Sequence, residues 1–86
     1  MVLEKTHQLV LKNDDEHDFF YVIACLIKFC DHSRDQAEQC AIITHNVGSC
    51  NIKTGDFLGL LSIQDELMDV GLKVELSDYE NSNMYK

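Results

Sequence analysis

The most concentrated group of polar side chains in the sequence occupies residues 13–18, which read Asn-Asp-Asp-Glu-His-Asp. Carboxylates at such close range could bind calcium. An EF-hand loop, however, requires glycine at its sixth position and glutamate at its twelfth. Counted from Asn13, those positions hold Asp18 and Ala24. The sequence therefore excludes an EF-hand calcium site in this segment.

The same segment offers little for acid–base or nucleophilic catalysis. Asp14 and Asp15 are adjacent, and in an extended turn their carboxylates point apart instead of sharing a proton. The chain contains no nucleophile elbow, glycine-rich phosphate loop or zincin motif. The short separation of His45 and Cys50 across a glycine is no evidence of a Cys–His pair. We therefore predict that the protein is not an enzyme and uses no cofactor.

A third chemistry for this segment is the recognition of a positive group. Asn13, Asp14 and Asp15 supply hydrogen-bond acceptors. His45 can join them if the helix that carries it runs beside this turn. Acceptors around an ammonium group, next to an apolar pocket, would bind a free protein N-terminus and its first side chain. The alternative, which the residues alone favour, is an Asx-turn with solvated carboxylates.

The four cysteines stand at positions 25, 30, 40 and 50 and form no Cys-x-x-Cys motif. The N-terminal segment lacks the long apolar stretch of a signal peptide. We therefore expect a cytoplasmic protein whose reduced thiols are buried as small hydrophobic groups. The alternative is a metal site, for which the candidate ligands are His17, Cys30, His32 and Cys40.

The first predicted elements surround the polar segment. Residues 8–12 read as a strand, and residues 13–16 as the turn that ends it. Asp18 is a good N-cap for a helix over residues 19–29. The helical stripe of that segment consists of Phe19, Val22, Ile23, Leu26 and Phe29. More apolar residues lie off the stripe, at Phe20, Ala24 and Ile27, so we expect this helix to be enclosed on more than one side.

A capping box, Ser33 with Gln36, begins a second helix that Gly48 ends. One face of this helix carries Ala37, Cys40, Ala41, Thr44 and His45. Residues 49–53 follow as a second strand.

Asp56 caps a third helix, which Gly71 ends. Its apolar residues at helical spacing are Phe57, Leu60, Leu61, Leu67 and Met68. Residues 72–76 alternate apolar and charged side chains, which predicts a strand with one solvated face. The element order is β-α-α-β-α-β, and the simplest closure is an α+β fold in which a three-stranded antiparallel sheet packs against three helices. We expect a single domain over residues 1–76 and a polar, disordered tail over residues 77–86.

The charge of the chain restricts its partners. The 86 residues include 7 Lys and Arg against 15 Asp and Glu, a net charge of −8, and the basic residues are spread along the chain. Such a field repels phosphate backbones and anionic lipid, so we expect neither nucleic acid nor membrane as a partner. The apolar stretch over residues 19–30 is also too short to cross a bilayer.

Several segments together resemble the ClpS family, adaptors that recognise N-degrons for an AAA+ unfoldase and its protease. They are LVLKNDD at residues 9–15, FFYVIACLIKFC at 19–30, SRDQAEQ at 33–39 and THNVG at 44–48. The family's version of the last motif is V-H-x-x-G. The resemblance covers roughly residues 7–76 and includes the segment order.

The resemblance implies a binding site for a protein N-terminus. In ClpS proteins the Asn and first Asp of the NDD turn, with the His of the second helix, bind the α-amino group; here these are Asn13, Asp14 and His45, supported by Asp15 and His17. The side-chain pocket implied by the resemblance consists of Phe19, Val22, Ala41, Thr44 and Leu72. The implied ligands are proteins that begin with Leu, Phe, Tyr or Trp, and the implied partner is a ClpA- or ClpC-like unfoldase.

The sequence also departs from the family pattern. Phe19 stands where the family has Met, Ala41 where Met is common, and Thr44 where Val is common. These changes alter the shape of the pocket. The family docks its unfoldase through a Glu- and Lys-bearing region early in the third helix, but residues 57–63 contain neither residue. The alternative function is therefore a ClpS-fold interaction module that has lost N-degron binding or unfoldase docking.

Overall fold

The structure, a computed structural model, describes residues 6–13 and 16–78. The elements are β1 (His7–Lys12), α1 (Phe19–Cys30), α2 (Arg34–Val47), β2 (Ser49–Gly55), α3 (Phe57–Asp69) and β3 (Val74–Asp78). β1 is the central strand and pairs antiparallel with β2 on one side and β3 on the other. The predicted α+β fold and its element order are confirmed.

The core lies between the sheet and the helices. Leu9 and Leu11 of β1 are fully buried, whereas Gln8 and Lys12 alternate with them toward the other face. The helices contribute Leu26, Ala37, Leu60 and Leu67 to the same core. Alternation along β1 therefore separates a packed face from a face that carries polar side chains.

The N-terminus of each helix is fixed by the predicted cap. Asp18 Oδ1 accepts a hydrogen bond from the Tyr21 amide at 3.0 Å, Ser33 Oγ from the Gln36 amide at 3.1 Å, and Asp56 Oδ2 from the Gly59 amide at 3.3 Å. Such caps satisfy amides that have no partner within the helix. These local side-chain bonds are why the helix starts could be predicted from sequence.

The prediction that α1 is enclosed on more than one side is wrong. Phe20 is 68% exposed and Ile27 is 40% exposed, while the residues of α1 that are buried lie on one face. The helices cover one face of a three-stranded sheet, and α1 therefore keeps an outer side in contact with solvent. The third helix likewise buries Leu60 and Leu67, whereas Phe57 and Met68 are exposed.

The last strand begins later than predicted, because the end of α3 is a Schellman turn. The Gly71 amide donates to the Met68 carbonyl at 3.0 Å, and the Leu72 amide donates to the Leu67 carbonyl at 3.0 Å. Gly71 has φ of 95°, the left-handed conformation that this turn requires. Leu72 is therefore a buried residue of the turn and precedes the strand, which starts at Val74.

β3 also continues through Ser77 and Asp78, residues that the sequence analysis assigned to the tail. Residues 79–86 lie outside the described part of the chain, so the domain boundary stays a prediction. Within the described residues, no helix is long and apolar enough to cross a membrane.

Candidate functional site

A cavity of about 540 Å³ opens where the end of β1 meets α1, α2 and the turn after α3. Its lining residues are Leu11, Lys12, Asn13, His17, Phe19, Val22, Ala41, Thr44, His45 and Leu72. Eight of these are residues that the sequence analysis proposed for binding. Asp14 and Asp15 lie outside the described residues, and the binding role of the whole set stays a prediction.

Two lining residues, Leu11 and Lys12, were missed by the sequence analysis. Leu11 is the last buried side chain of β1, and Lys12 directly precedes Asn13. The alternation of β1 places Leu11 on the helix side of the sheet, so the strand pattern contained the signal for it. Lys12 Nζ lies 3.2 Å from Glu75 Oε1 of β3, and this pair directs the lysine charge toward the neighbouring strand.

The polar part of the rim is assembled by a hydrogen bond between two chain segments. The Asn13 amide donates to the Gly48 carbonyl at 3.0 Å, and the Gly48 amide donates to the Thr44 carbonyl at 2.9 Å. Gly48 adopts φ of 109°, which ends α2 and turns its backbone toward the end of β1. Asn13 and His45, which are separated by most of α1 and α2 in sequence, consequently line the same cavity, and both are exposed.

The apolar wall comes from α1 and α2. Phe19 and Val22 are one turn apart at the start of α1, and Ala41 and Thr44 are one turn apart on α2. Ala41 and Thr44 are almost fully buried. Thr44 Oγ1 donates its proton to the Cys40 carbonyl at 2.8 Å, so the hydroxyl is satisfied within the helix.

A third side of the cavity is held by contacts between the start of α1 and the end of α3. The His17 ring stacks on the Tyr21 ring with centroids 5.0 Å apart and planes at 16°, and Tyr21 Oη donates to the Val70 carbonyl at 2.7 Å. A Cβ atom at Gly71 would lie only 2.8 Å from His17 Nε2. His17 is therefore confined between Tyr21 and Gly71, next to the turn that carries Leu72.

A second cavity, of about 430 Å³, lies between β2 and the connection from α1 to α2. Polar side chains dominate its lining, which consists of Cys30, Asp31, His32, Gln36, Asn51, Ile52, Lys53 and Thr54.

His32 is buried, and its Nε2 lies 2.7 Å from the Ile52 carbonyl. Because a carbonyl only accepts, Nε2 carries the proton and donates this bond. Ile52 is the extra residue of a β-bulge opposite Leu9 and Val10, so His32 pairs with the carbonyl of an irregular strand residue.

The cysteines give no metal site among residues 6–13 and 16–78. No group of three or more His, Cys, Asp or Glu side chains in these ranges is placed to hold a metal ion, although Cys30 and His32 line the same cavity. All four cysteines are free thiols. Burial raises the pKa of Cys30 to about 11, and burial with a hydrogen bond to Cys50 raises the pKa of Cys40 to about 12. Both thiols therefore stay protonated at neutral pH.

The comparisons with known proteins identify a family and a fold. The family model for "ATP-dependent Clp protease adaptor protein ClpS" matches residues 3–74. Among solved structures, the chain is similar to ClpS2 from Agrobacterium tumefaciens bound to L-phenylalaninamide, with a TM-score of 0.73 and 18% sequence identity over 87% of this chain and 98% of that chain. At this identity the likeness supports the fold. No curated protein sequence matches the chain at a significant level.

Proposed function

The chain belongs to the ClpS family of Clp protease adaptors, and we propose that its 540 Å³ cavity binds the N-terminal residue of substrate proteins. The ligands are N-degrons that begin with Leu, Phe, Tyr or Trp. The bound protein is then delivered to an AAA+ Clp unfoldase of the ClpA or ClpC type. The adaptor itself breaks and forms no covalent bond.

The observation that carries this proposal is that apolar walls and a polar rim occur in one cavity. Phe19, Val22, Ala41 and Leu72 offer apolar surface, and Asn13 and His45 line the same space. An N-terminal residue has matching parts, a charged amino group next to a side chain. The similar Agrobacterium protein is bound to L-phenylalaninamide, a molecule with a free amino group beside an aromatic side chain.

The proposed binding chemistry divides the amino group among three acceptors. The amide oxygen of Asn13 and the unprotonated ring nitrogen of His45 each accept one N–H. The carboxylate of Asp14, the residue that follows Asn13, accepts the third and supplies a charge-assisted bond. An N-acetylated ligand has no positive charge and too few donors, so it would leave desolvated acceptors unpaired at a cost of about 1–3 kcal/mol.

A second candidate function differs from the first in the partner to which the bound protein is delivered. At the start of α3, Phe57 is 45% exposed and Leu58 is 72% exposed, and residues 57–63 contain neither Glu nor Lys. This surface favours a ClpS-fold module with a different partner over an adaptor with the family's docking region. A pull-down with a ClpA- or ClpC-like unfoldase separates the two, because only the delivery adaptor should retain it.

The direct test of N-terminus binding is fluorescence anisotropy with short labelled peptides that begin with Phe or Leu. We expect saturable binding that is abolished by N-acetylation and absent for a peptide that begins with Ser. Asp14→Ala should weaken binding while thermal unfolding stays nearly unchanged. The matched control is Asp65→Ala, which removes the same charge from an exposed position of α3. Equal binding of free and acetylated peptides, or equal losses in both variants, would contradict the proposal.

A further inference from the structure

We propose that the cavity selects aromatic first residues over aliphatic ones of equal bulk, and that Phe19 is the residue that sets this preference. The inference rests on the proposed function, because it concerns which N-terminal residues the cavity binds. It adds a narrower ligand class, N-termini that begin with an aromatic residue, and a physical cause for it.

Phe19 is held at the edge of the molecule with its ring available to a ligand. It is the first residue of α1, directly after the Asp18 cap, and it is 38% exposed although it lines the cavity. Val22 and Phe29 pack against the buried core, whereas Phe19 belongs neither to the core nor to the partly buried residues around it. Phe19 therefore lines the cavity without being part of the packed interior.

A neighbouring ring contacts Phe19 at the rim of the cavity. The centroids of Phe19 and Phe20 are 5.7 Å apart and their planes meet at 85°, an edge-to-face arrangement. Phe20 is 68% exposed, so this pair can exist at the rim without burying Phe19. A ligand ring that enters the cavity would add a second ring contact to the one that Phe19 makes with Phe20.

The remainder of the wall gives no comparable preference for a ring. Val22, Ala41 and Leu72 are aliphatic, and the Thr44 hydroxyl proton is used by the Cys40 carbonyl. Their contacts depend on the apolar area that is buried, which aromatic and aliphatic ligands share. Of the two imidazole rings in the lining, His17 stacks on Tyr21, and His45 is the one to which we assign the amino group. Phe19 is thus the phenyl ring that can distinguish an aromatic ligand from a saturated one.

The cavity has space for such a ligand. Ala41 contributes only a methyl group to the α2 wall, and the volume of about 540 Å³ lies within the range of about 300–1,000 Å³ that small-molecule sites occupy. Aromatic pairs are stabilised beyond the effect of buried area by an amount that corresponds to about a two- to tenfold change in affinity. That ratio is large enough to measure and small enough to require matched ligands.

The test uses three peptides that differ only at the first residue, which is Phe, β-cyclohexylalanine or Leu. The cyclohexyl side chain has the bulk of a phenyl ring but lacks its π-system. We expect the wild-type protein to bind the Phe peptide about two- to tenfold more tightly than the cyclohexylalanine peptide in anisotropy titrations. Phe19→Leu should bring this ratio close to one, and Phe19→Tyr should preserve it.

Phe57→Leu is the matched control, because Phe57 is also the exposed first residue of a helix but lies outside the cavity lining. We expect it to leave the Phe-to-cyclohexylalanine ratio unchanged. The ratio is measured within each variant, so a general loss of affinity in Phe19→Leu does not affect the result. Phe19→Met, which also removes the ring, tests the same point if Phe19→Leu is unstable.

The outcomes separate this inference from the proposed function. If the wild-type protein binds all three peptides with equal affinity, or if Phe19→Leu keeps the wild-type ratio, the role of Phe19 is wrong while N-terminus binding stands. If none of the three peptides binds, the proposed function fails, and the inference that rests on it fails as well.

Discussion

The two cavities of this protein have similar volumes and each contains a histidine, but they are built from different chemistry. The first, of about 540 Å³, has aliphatic and aromatic walls, and His45 is exposed at its rim. The second, of about 430 Å³, has mostly polar walls, and His32 is buried with its Nε2 proton donated to the Ile52 carbonyl. His45 is therefore accessible to a ligand, whereas His32 donates a hydrogen bond to the backbone of β2.

The difference shows that size alone does not identify a binding site. A ligand gains affinity where apolar surface and a few polar groups can be desolvated together. The first cavity offers both, whereas in the second the bond from His32 serves the bulge in β2. The buried Nδ1 of His32 has no partner among the described atoms, and it is sealed from the cavity by its burial.

The difference between the two cavities predicts that the largest loss of stability follows replacement of His32. In His32→Ala the Ile52 carbonyl loses its donor and a space opens in the interior, so we expect the free energy of unfolding to fall by about 2–4 kcal/mol. Urea denaturation measures this change. Peptide affinity of the folded variant should stay within about twofold of wild type.

The control for His32 is His7→Ala, which removes a side chain that is 25% exposed and whose Nε2 lies 3.4 Å from Asp78 Oδ1. We expect a loss of about 0–1 kcal/mol there, as for other surface pairs. If His32→Ala is as stable as wild type, His32 does not have the structural role that we assign to it. If the variant loses peptide binding while it stays folded, the two cavities do not have separate roles.

The second prediction concerns His45, whose replacement should weaken peptide binding and leave stability nearly unchanged. His45→Ala removes one of the acceptors that we propose for the α-amino group, so we expect peptide binding to weaken by about 10- to 100-fold. The free energy of unfolding should change by less than about 0.5 kcal/mol, since the side chain is exposed. His45→Gln, which restores an acceptor, should recover part of the affinity. A stability loss equal to that of His32→Ala would assign His45 a structural role instead.

The last effect is a dependence of stability on alkaline pH, which concerns Cys30, a residue of the second cavity, and the buried Cys40. In the folded protein the pKa of Cys30 is about 11 and that of Cys40 is about 12. Unfolded thiols lose their protons near pH 8.5. Above that pH the unfolded chain binds fewer protons than the folded protein, so the free energy of unfolding falls as the pH rises.

This stabilisation is complete below about pH 8.5 and is lost as the pH rises through the folded pKa values. Urea denaturation between pH 8 and pH 10.5 in the wild type and in Cys30→Ala/Cys40→Ala measures the difference, which we expect to be a shallower decline in the variant. Lysine and tyrosine titrate in both proteins and cancel. Parallel curves would show that the two thiols do not have raised pKa values.

Local signals allowed much of the fold to be predicted. The caps at Asp18, Ser33 and Asp56 act within three residues of chain, and each is present in the structure. The start of β3 was predicted two residues too early, because the Schellman turn that ends α3 includes Leu72. The Leu72 amide donates to the Leu67 carbonyl in that turn. The bulge at Ile52 was missed for a similar reason, since its partner His32 lies on another element.

The candidate site, like the fold, could be predicted only in part from the sequence. Residue types indicated Asn13 and His45 as acceptors, and the resemblance to ClpS implied their roles and the apolar residues of the pocket. The sequence did not show that Phe19 would be left at the rim or that the Thr44 hydroxyl would be satisfied within α2. Those properties depend on which neighbouring side chains reach each residue.

The sequence by itself determined the element order, the helix caps and the residues from which a binding site could be made, because each depends on chemistry within a few residues. Only the tertiary structure decided that the Asn13 amide reaches the Gly48 carbonyl and that Leu72 turns toward α1 and α2. It also decided that His32 is buried and His45 exposed. These outcomes follow from packing between segments distant in sequence, which local patterns do not encode.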